Sequence, residues 1–328
     1  MFFASSITVL LFTLGLLGNA VLGAENELRI SSVDDLIDFS NDVNKGTSYY
    51  GTTVYLDSDI DFNSSLSSRF KSIGWSETKY FNGTFDGQGH TISNLALSSS
   101  LGHVGLFGYS KGATIKNVVL GSSCSILSTY SPDNPGIDVG SIVGQCSACT
   151  VENIINMANV TFTGTATSNN LFMGGIVGRL LASGTVRNCV NYGSVFHFGN
   201  VGNRESNIGG IVGLCGGKDG VKYVHNCANY GTITHNGTSK NLYIGGVIST
   251  SFAGTINLEN CMSAGQIVNL KQASESNYVG SVVGYISSAQ DPITNIVHCI
   301  WTSDVGYNDV YDPKTTRTAT VSDSSPKN

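Results

Sequence analysis

The stretch Gly174-Gly175-Ile176-Val177-Gly178 decides the fold, because near copies of it recur through the chain. Successive copies end 34 to 36 residues apart. A period of this length indicates a repeat architecture, in which each unit closes its core only against its neighbours. The copies occupy residues 104–108, 140–144, 174–178, 209–213, 245–249 and 280–284.

A second recurring position, called the anchor below, follows each glycine-rich copy. The residue two places before the anchor is aliphatic in every period, as Val151 is before Asn153, and the residue between them is mostly polar. This alternation indicates a short β-strand with one buried face, and a further strand follows at Val160 and its equivalents. Three short strands per period predict a right-handed parallel β-helix, or β-solenoid, of about seven coils. The anchors are Asn117, Asn153, Asn188, Asn226, Asn260 and His298.

The N-terminal end of the solenoid is expected to carry a cap. Within residues 31–43, Ser32 precedes acidic residues and an apolar stripe, which predicts a short capping helix. Residues 1–24 contain no charged side chain, so a secretory signal peptide is predicted there, with an uncleaved membrane anchor as the alternative. The predicted organisation is a signal peptide over 1–23, the cap over 24–74, solenoid repeats over 75–303 and a disordered tail over 304–328.

Composition excludes several classes of protein. A chain that is 41% hydrophobic with a net charge of −6 can bury a core and is not a disordered chain. With 40 glycines and only 12% charged residues, it does not have the composition of a coiled coil. Lysine and arginine number 17 and the pI is near 5.4, so no basic patch for nucleic acid is expected.

The repeats resemble those of proteins that carry the GLUG motif. The core Gly105-Leu106-Phe107-Gly108 and the segment Phe81-Asn82-Gly83-Thr84-Phe85-Asp86-Gly87-Gln88-Gly89-His90 are similar to that family's pattern, over roughly residues 50–305. The resemblance implies a secreted or surface β-solenoid, often adhesin-like, of bacteria or protists. Some such repeats precede an IgA-cleaving metallopeptidase domain, but this chain contains no His-Glu-x-x-His motif.

The eight cysteines of an exported chain are expected to form disulfides. Four of them follow anchors, and stacked neighbours would have Cα atoms about 5 Å apart, within disulfide range. We therefore predict Cys189 bridged to Cys227 and Cys261 to Cys299, with unbridged buried thiols as the alternative. Cys124 is predicted to pair with Cys146 or Cys149; the Cys-x-x-Cys spacing of the latter two has no second motif beside it, so no metal or cofactor is expected.

Four Asn-x-Ser/Thr sequences are predicted glycosylation sites and agree with export. They begin at Asn63, Asn82, Asn159 and Asn236.

The best candidates for catalysis are Asp57, Asp59 and Asp61, whose alternation places three carboxylates on one outward face. Such carboxylates serve β-helix polysaccharide lyases and glycosidases as calcium ligands or as an acid and base. The following coils supply no aligned aspartates, so solvated charges on an end coil are the preferred interpretation, and carbohydrate-active catalysis is the alternative. The segment Asp86 to His90 is interpreted as a glycine-rich turn.

The function predicted from the sequence is therefore non-enzymatic recognition. We expect a secreted or cell-surface, antigen-like protein that adheres to a host, matrix or carbohydrate partner, without nucleic acid and without a membrane span in the mature chain. Recognition is expected through loops inserted between coils, at residues 128–137 and 198–208, because loops on a rigid scaffold carry most binding functions.

Overall fold

The computed structural model describes residues 26–62, 64–130, 136–287, 293–302, 306, 309, 320–322 and 324–327. In this part of the chain, β-strands pair in parallel from one coil to the next. Val151, for example, lies in register between Ile115 of the preceding coil and Val186 of the following one. The predicted parallel β-solenoid of about seven coils is therefore confirmed.

The largest sheet contains the anchors and is called the anchor sheet. Each coil contributes either one long strand or two short strands to it, because the anchor residue interrupts the extended backbone in most coils. Its strands are Asn26–Ile30, Thr52–Leu56, Ile60–Asp61, Thr84–Asp86, Thr91–Ser93, Thr114–Leu120, Thr150–Asn156, Thr185–Arg187, Val190–Asn191, Val221–His225, Ala228–Asn229, Thr255–Glu259, Met262–Ser263, Ile293–Val297, Ile300–Thr302, Thr320–Ser322 and Ser325–Lys327.

Three further sheets each contain six strands, one from each of six successive coils. The second sheet consists of Ala96–Ser99, Ser125–Ser128, Asn159–Phe162, Val195–His197, Ile233–His235 and Ile267–Asn269. The third sheet consists of His103–Val104, Ile137–Val139, Leu171–Gly174, Glu205–Gly209, Asn241–Gly245 and Ser276–Gly280. The fourth sheet consists of Phe107–Lys111, Val143–Ser147, Val177–Leu181, Val212–Gly216, Ile248–Phe252 and Val283–Ile286.

Each of these six coils thus contributes strands to four sheets rather than to the three predicted. The glycine-rich core is a tight turn between two strands, since Leu171–Gly174 ends at Gly174 and Val177–Leu181 begins at Val177. The turns of successive coils stack so closely that a Cβ on Gly175 would overlap the carbonyl oxygen of Gly210. Glycine is required there because the backbones meet, and alternation of apolar residues alone does not reveal the turn.

The predicted capping helix is present at Val33–Lys45, and a second short helix spans Ser64–Ser67. The Ser32 hydroxyl accepts a hydrogen bond of 3.2 Å from the backbone N–H of Asp35, which satisfies an otherwise unpaired helix N-terminus. Phe39 on the buried face packs edge-on against Phe81, with ring centroids 5.6 Å apart. The helix therefore covers the open end of the apolar core.

The last described residues of the tail predicted to be disordered form two short strands. Thr320–Ser322 pairs in parallel with Ile293–Val297, and Ser325–Lys327 pairs with Ile300–Thr302. The two short strands satisfy backbone groups that the last anchor-sheet strands would otherwise leave unpaired. The predicted signal peptide lies outside the described residues. Within the described part of the chain, no helix has both the length and the apolar character that a bilayer span requires.

Candidate recognition groove

Two rows of side chains on the third and fourth sheets point away from the core and face each other. In each coil the third-sheet member lies two residues before the first glycine of the turn, as Phe172 does before Gly174 and His103 before Gly105. The fourth-sheet member directly follows the last residue of the turn. Core residues such as Met173 and Val177 point to the opposite side. The third-sheet row is His103, Asp138, Phe172, Asn207, Tyr243 and Tyr278, and the fourth-sheet row is Tyr109, Gln145, Arg179, Leu214, Thr250 and Tyr285.

The N-terminal end of this groove is organised by a buried carboxylate. Asp138 is fully buried, and its Oδ2 lies 2.7 Å from His103 Nδ1 and 2.7 Å from Arg179 Nη2. Burial alone would raise the pKa of Asp138, but the Arg179 guanidinium and His103 together lower it below its ordinary value. Asp138 is therefore an anion that holds two side chains at the floor of the groove.

Arg179 connects this charged end to the middle of the groove. Its Nη2 also donates to Gln145 Oε1 at 2.7 Å, and its guanidinium lies 4.8 Å from the ring centroid of Phe172. Farther along, Thr250 Oγ1 donates to Asn207 Oδ1 at 2.7 Å, which joins the two rows directly. These contacts fix the planar groups in position before any ligand arrives.

The C-terminal end of the groove is a cluster of three tyrosines. The ring centroids of Tyr243 and Tyr285 are 4.7 Å apart, as are those of Tyr278 and Tyr285. The Tyr243 hydroxyl lies 3.5 Å from Glu205 Oε1. The stacked tyrosine rings form an apolar surface whose edge carries their polar hydroxyl groups.

Two adjoining cavities, of about 570 and about 450 Å³, open over these rows and share Asn170, Phe172 and Arg179. Trp75, which is 40% exposed, lines the first cavity. The loops predicted to carry recognition contribute Gly136 and Arg204 to its wall, although residues 131–135 of the first loop lie outside the described residues.

The two rows were not predicted from the sequence. The signal was present in the repeat alignment, because the two positions are usually aromatic or polar. The neighbours of the first position are mostly apolar, and those of the second are small or apolar. That the two positions face each other depends on the turn, which the strand periodicity did not predict.

The predicted catalytic aspartates lie outside the groove, on the anchor sheet, and each binds groups of a neighbouring coil. Asp57 Oδ1 accepts from Arg29 Nη1 at 2.9 Å, and Asp61 Oδ1 accepts from Asn94 Nδ2 at 2.6 Å. Asp59 Oδ1 accepts from the backbone N–H of Thr91 at 2.8 Å, and this bond, with the nearby His90 ring, lowers the pKa of Asp59. The three carboxylates tie coils together.

All eight cysteines are buried and carry free thiols in the structure. Cys189, Cys227, Cys261 and Cys299 stack in register, so the two bridges predicted among them remain predictions. Cys124 lies far from Cys149. The strand Thr150–Asn156 pairs with Thr114–Leu120, and Thr150 lies opposite Thr114. Cys149 therefore lies near the Thr114 end of this pair, whereas Cys124 lies beyond the Leu120 end, roughly 20 Å away. The register is therefore incompatible with a Cys124–Cys149 bridge, because a disulfide needs Cα atoms within about 7 Å. The alternative bridge from Cys124 to Cys146 remains a prediction.

The predicted glycosylation sites occupy different surroundings. Asn159 and Asn236 are exposed, and Asn82 is half-buried. Asn63 lies outside the described residues. Glycosylation at these positions remains a prediction.

No protein-family model matches the chain, so membership of the GLUG family stays a resemblance. A stretch of 160 residues, 47% of the chain, is 32% identical to halomucin of Haloquadratum walsbyi, and it spans only 2% of that protein. The solenoid is similar to the crystal structure of a candidate immunoglobulin A1 protease from Bacteroides ovatus, with a TM-score of 0.65 and 18% identity over 91% of this chain and 83% of the other. At that identity the similarity concerns the fold alone: this chain shares the β-helix architecture of that protein.

Proposed function

We propose that this chain is a secreted or cell-surface recognition protein whose groove binds an extended, neutral carbohydrate without cleaving it. One observation carries the proposal: two facing rows of mostly aromatic and planar polar side chains run in register along six coils. With a strand spacing of about 4.8 Å, five steps between coils give a groove of about 24 Å, which suits several linked sugar units.

The side chains of the groove match the chemistry of sugars. Aromatic faces such as those of Trp75 and Phe172 stack on the C–H faces of sugar rings, and amides such as Asn170 both donate to and accept from hydroxyl groups. One ion pair lies in the groove, and the remaining charged residues that line it, Glu77, Arg204 and Glu205, are of both signs. Arg179 is bound by Asp138, and Glu205 Oε2 accepts from Asn170 Nδ2 at 3.1 Å. A ligand without net charge therefore fits better than an acidic one.

Binding without cleavage is favoured over the enzymatic alternative. A lyase or glycosidase needs carboxylates that converge on one sugar linkage. Asp57, Asp59 and Asp61 lie on another face of the solenoid, and each accepts hydrogen bonds from an adjacent coil. In the groove, the Asp138 carboxylate is fully buried, and its Oδ2 accepts from Arg179 and lies 2.7 Å from His103 Nδ1.

Surface localisation is supported by the apolar N-terminal stretch and by the partial similarity to halomucin. An adhesive role follows if the groove binds a glycan on another surface. The fold itself is compatible with many functions and does not select among them.

The experiment is a binding screen of the mature chain on neutral, acidic and amino glycans and on matrix proteins, with reducing-end release measured in parallel. We expect binding to neutral oligosaccharides, at least tenfold weaker in Trp75→Ala and Phe172→Ala. Tyr192→Ala is the matched control, because Tyr192 is 53% exposed but lies on the anchor sheet side. Binding only to matrix proteins, or equal loss in the control, would overturn the proposal. Release of reducing ends that Asp59→Asn abolishes would establish the enzymatic alternative instead.

A further inference from the structure

Four cysteines form a column inside the solenoid, one in each of four successive coils. Cys189, Cys227, Cys261 and Cys299 each directly follow an anchor residue. Their neighbours pair in parallel register, as Val190 does with Ala228 and Ala228 with Met262. All four are at most 1% exposed. This set is called the cysteine column below.

The four sulfur atoms point the same way. Each Sγ lies 3.1 to 3.5 Å from the carbonyl oxygen two residues earlier in its own coil. Each also lies 3.5 to 3.8 Å from a carbonyl oxygen of the preceding coil. Because the same two contacts recur in every coil, the sulfurs repeat with the strand spacing of about 4.8 Å.

This spacing suits one class of metal ion. Within the described residues, no three His, Cys, Asp or Glu side chains converge on a common point, so the column offers no tetrahedral zinc site. Two metal–sulfur bonds of about 2.3 Å laid end to end span about 4.6 Å, which is close to the sulfur repeat. Thiolates select soft ions such as Cu(I), and soft monovalent d10 ions accept two ligands in a line.

We propose that the reduced cysteine column binds soft monovalent d10 cations, Cu(I) or Ag(I), each held linearly between the sulfurs of neighbouring coils. Two thiols lose two protons to solvent, and one cation forms two metal–sulfur bonds, with no change of oxidation state. The pairs Cys189–Cys227 and Cys261–Cys299 can be filled together because they share no sulfur. The site is independent of the groove and of its ligand.

The disulfides predicted for the same four residues compete with this binding, because a bridged sulfur is no longer a thiolate ligand. Thiol titration of the unfolded protein, isolated without reductant, distinguishes the two states. We expect all four column thiols to react. If Cys189 and Cys227 are found bridged to each other, the proposal is overturned.

The decisive experiment compares two double variants that each lose two thiols and differ only in adjacency. Cys189→Ala/Cys227→Ala leaves Cys261 and Cys299 as neighbours. Cys189→Ala/Cys261→Ala leaves Cys227 and Cys299, which are two coils apart, about 10 Å. The probe is Ag(I) in chloride-free buffer, measured by equilibrium dialysis and by the thiolate-to-metal absorption band.

We expect the column to contribute two ions in the wild-type chain, one in the variant that keeps a neighbouring pair, and none in the other. Cys124→Ala, which removes a buried thiol outside the column, should bind as the wild type does. Circular dichroism checks that each variant keeps its β-sheet signal. Equal Ag(I) uptake by the two double variants would overturn the proposal, as would wild-type uptake no greater than theirs.

Discussion

The side-chain amide of Asn153 donates a hydrogen bond of 2.9 Å to the side-chain oxygen of Asn117, its counterpart one coil earlier. The same bond repeats along the chain, from Asn188 to Asn153 at 3.1 Å and from Asn226 to Asn188 at 3.0 Å. At the N-terminal end, Asn117 Nδ2 donates to the Asp86 carboxylate at 2.8 Å. With a last bond of 3.2 Å from Asn260 to Asn226, the five asparagine anchors form a continuous amide ladder on the outside of the solenoid.

The anchors also share a left-handed backbone conformation, with φ of 55° at Asn153 and 54° at Asn188. Asparagine tolerates this conformation better than any other residue except glycine. We predict that Asn153→Ala lowers the free energy of unfolding by about 2 kcal/mol, from the backbone strain and the two lost amide bonds. Urea unfolding measures this loss.

Asn153→Gly is the matched variant, because it relieves the strain but also lacks the amide. We expect it to lose about 1 kcal/mol, corresponding to the hydrogen bonds alone. If Asn153→Ala and Asn153→Gly are equally stable, the left-handed backbone contributes nothing, and the argument from φ is wrong.

The ladder illustrates what the sequence could and could not predict. The sequence predicted the anchor positions, the inward side chain of Val151 and the helix N-cap at Ser32, because each follows from the spacing of residues along the chain. The amide bonds between coils depend on how one coil stacks on the next. The contact between Phe172 and Arg179 depends on how the glycine turn folds the chain back on itself. That information lies in the contact between backbones of adjacent coils, not in the periodicity of one strand.

The glycine turns should be the least tolerant positions in the chain. A Cβ on Gly210 would overlap the carbonyl oxygen of Gly246 in the next coil and the side-chain amide of Asn229. We predict that Gly210→Ala lowers the free energy of unfolding by about 3 kcal/mol or more, because backbone cannot move aside. Thermal unfolding followed by circular dichroism gives the loss.

Gly121→Ala is the control for the loss of a glycine as such. A Cβ there would lie 3.4 Å from the carbonyl oxygen of Ile92, an ordinary contact. We expect a change within about 0.5 kcal/mol. Comparable losses at the two glycines would contradict the role of close stacking.

A buried histidine pair should make the solenoid sensitive to acid. His197 Nδ1 and His235 Nδ1 are 2.8 Å apart, both rings are fully buried, and Phe162 packs on His197. Burial lowers the pKa of both rings. For His197, the nearby His235 and Lys271 lower the pKa further. For His235, burial and the charge of Lys271 lower the pKa to about 4. The unfolded chain binds protons near pH 6.5, so it holds more protons than the folded chain below that pH.

Stability must therefore fall as the pH drops from about 6.5 towards 4, by up to about 1.4 kcal/mol per pH unit for each histidine. Urea midpoints of the wild type and of His197→Leu/His235→Leu, measured between pH 7 and pH 5, isolate this contribution from that of the carboxylates. We expect a flatter profile in the double variant. Parallel profiles would show that the pair does not titrate in this range.

The buried Asp138–Arg179 pair separates the stability of the groove from its binding function. Removing one partner leaves an uncompensated charge, which typically costs about 3 to 5 kcal/mol, whereas replacing both with apolar residues is often close to neutral. We predict that Asp138→Leu and Arg179→Met are each strongly destabilised, and that the double variant recovers most of the loss in urea unfolding. The pair is suited to this test because Asp138 is fully buried and Arg179 is only partly exposed.

Carbohydrate binding should not recover with stability. Arg179 positions Gln145 and lies against the ring of Phe172, and methionine supplies neither the N–H groups nor the planar cation. We therefore expect the double variant to fold as stably as the wild type, within about 1 kcal/mol, yet to bind the neutral oligosaccharide at least tenfold more weakly. If binding recovers in parallel with stability, Arg179 serves only to neutralise Asp138, and the ligand depends on the aromatic residues alone.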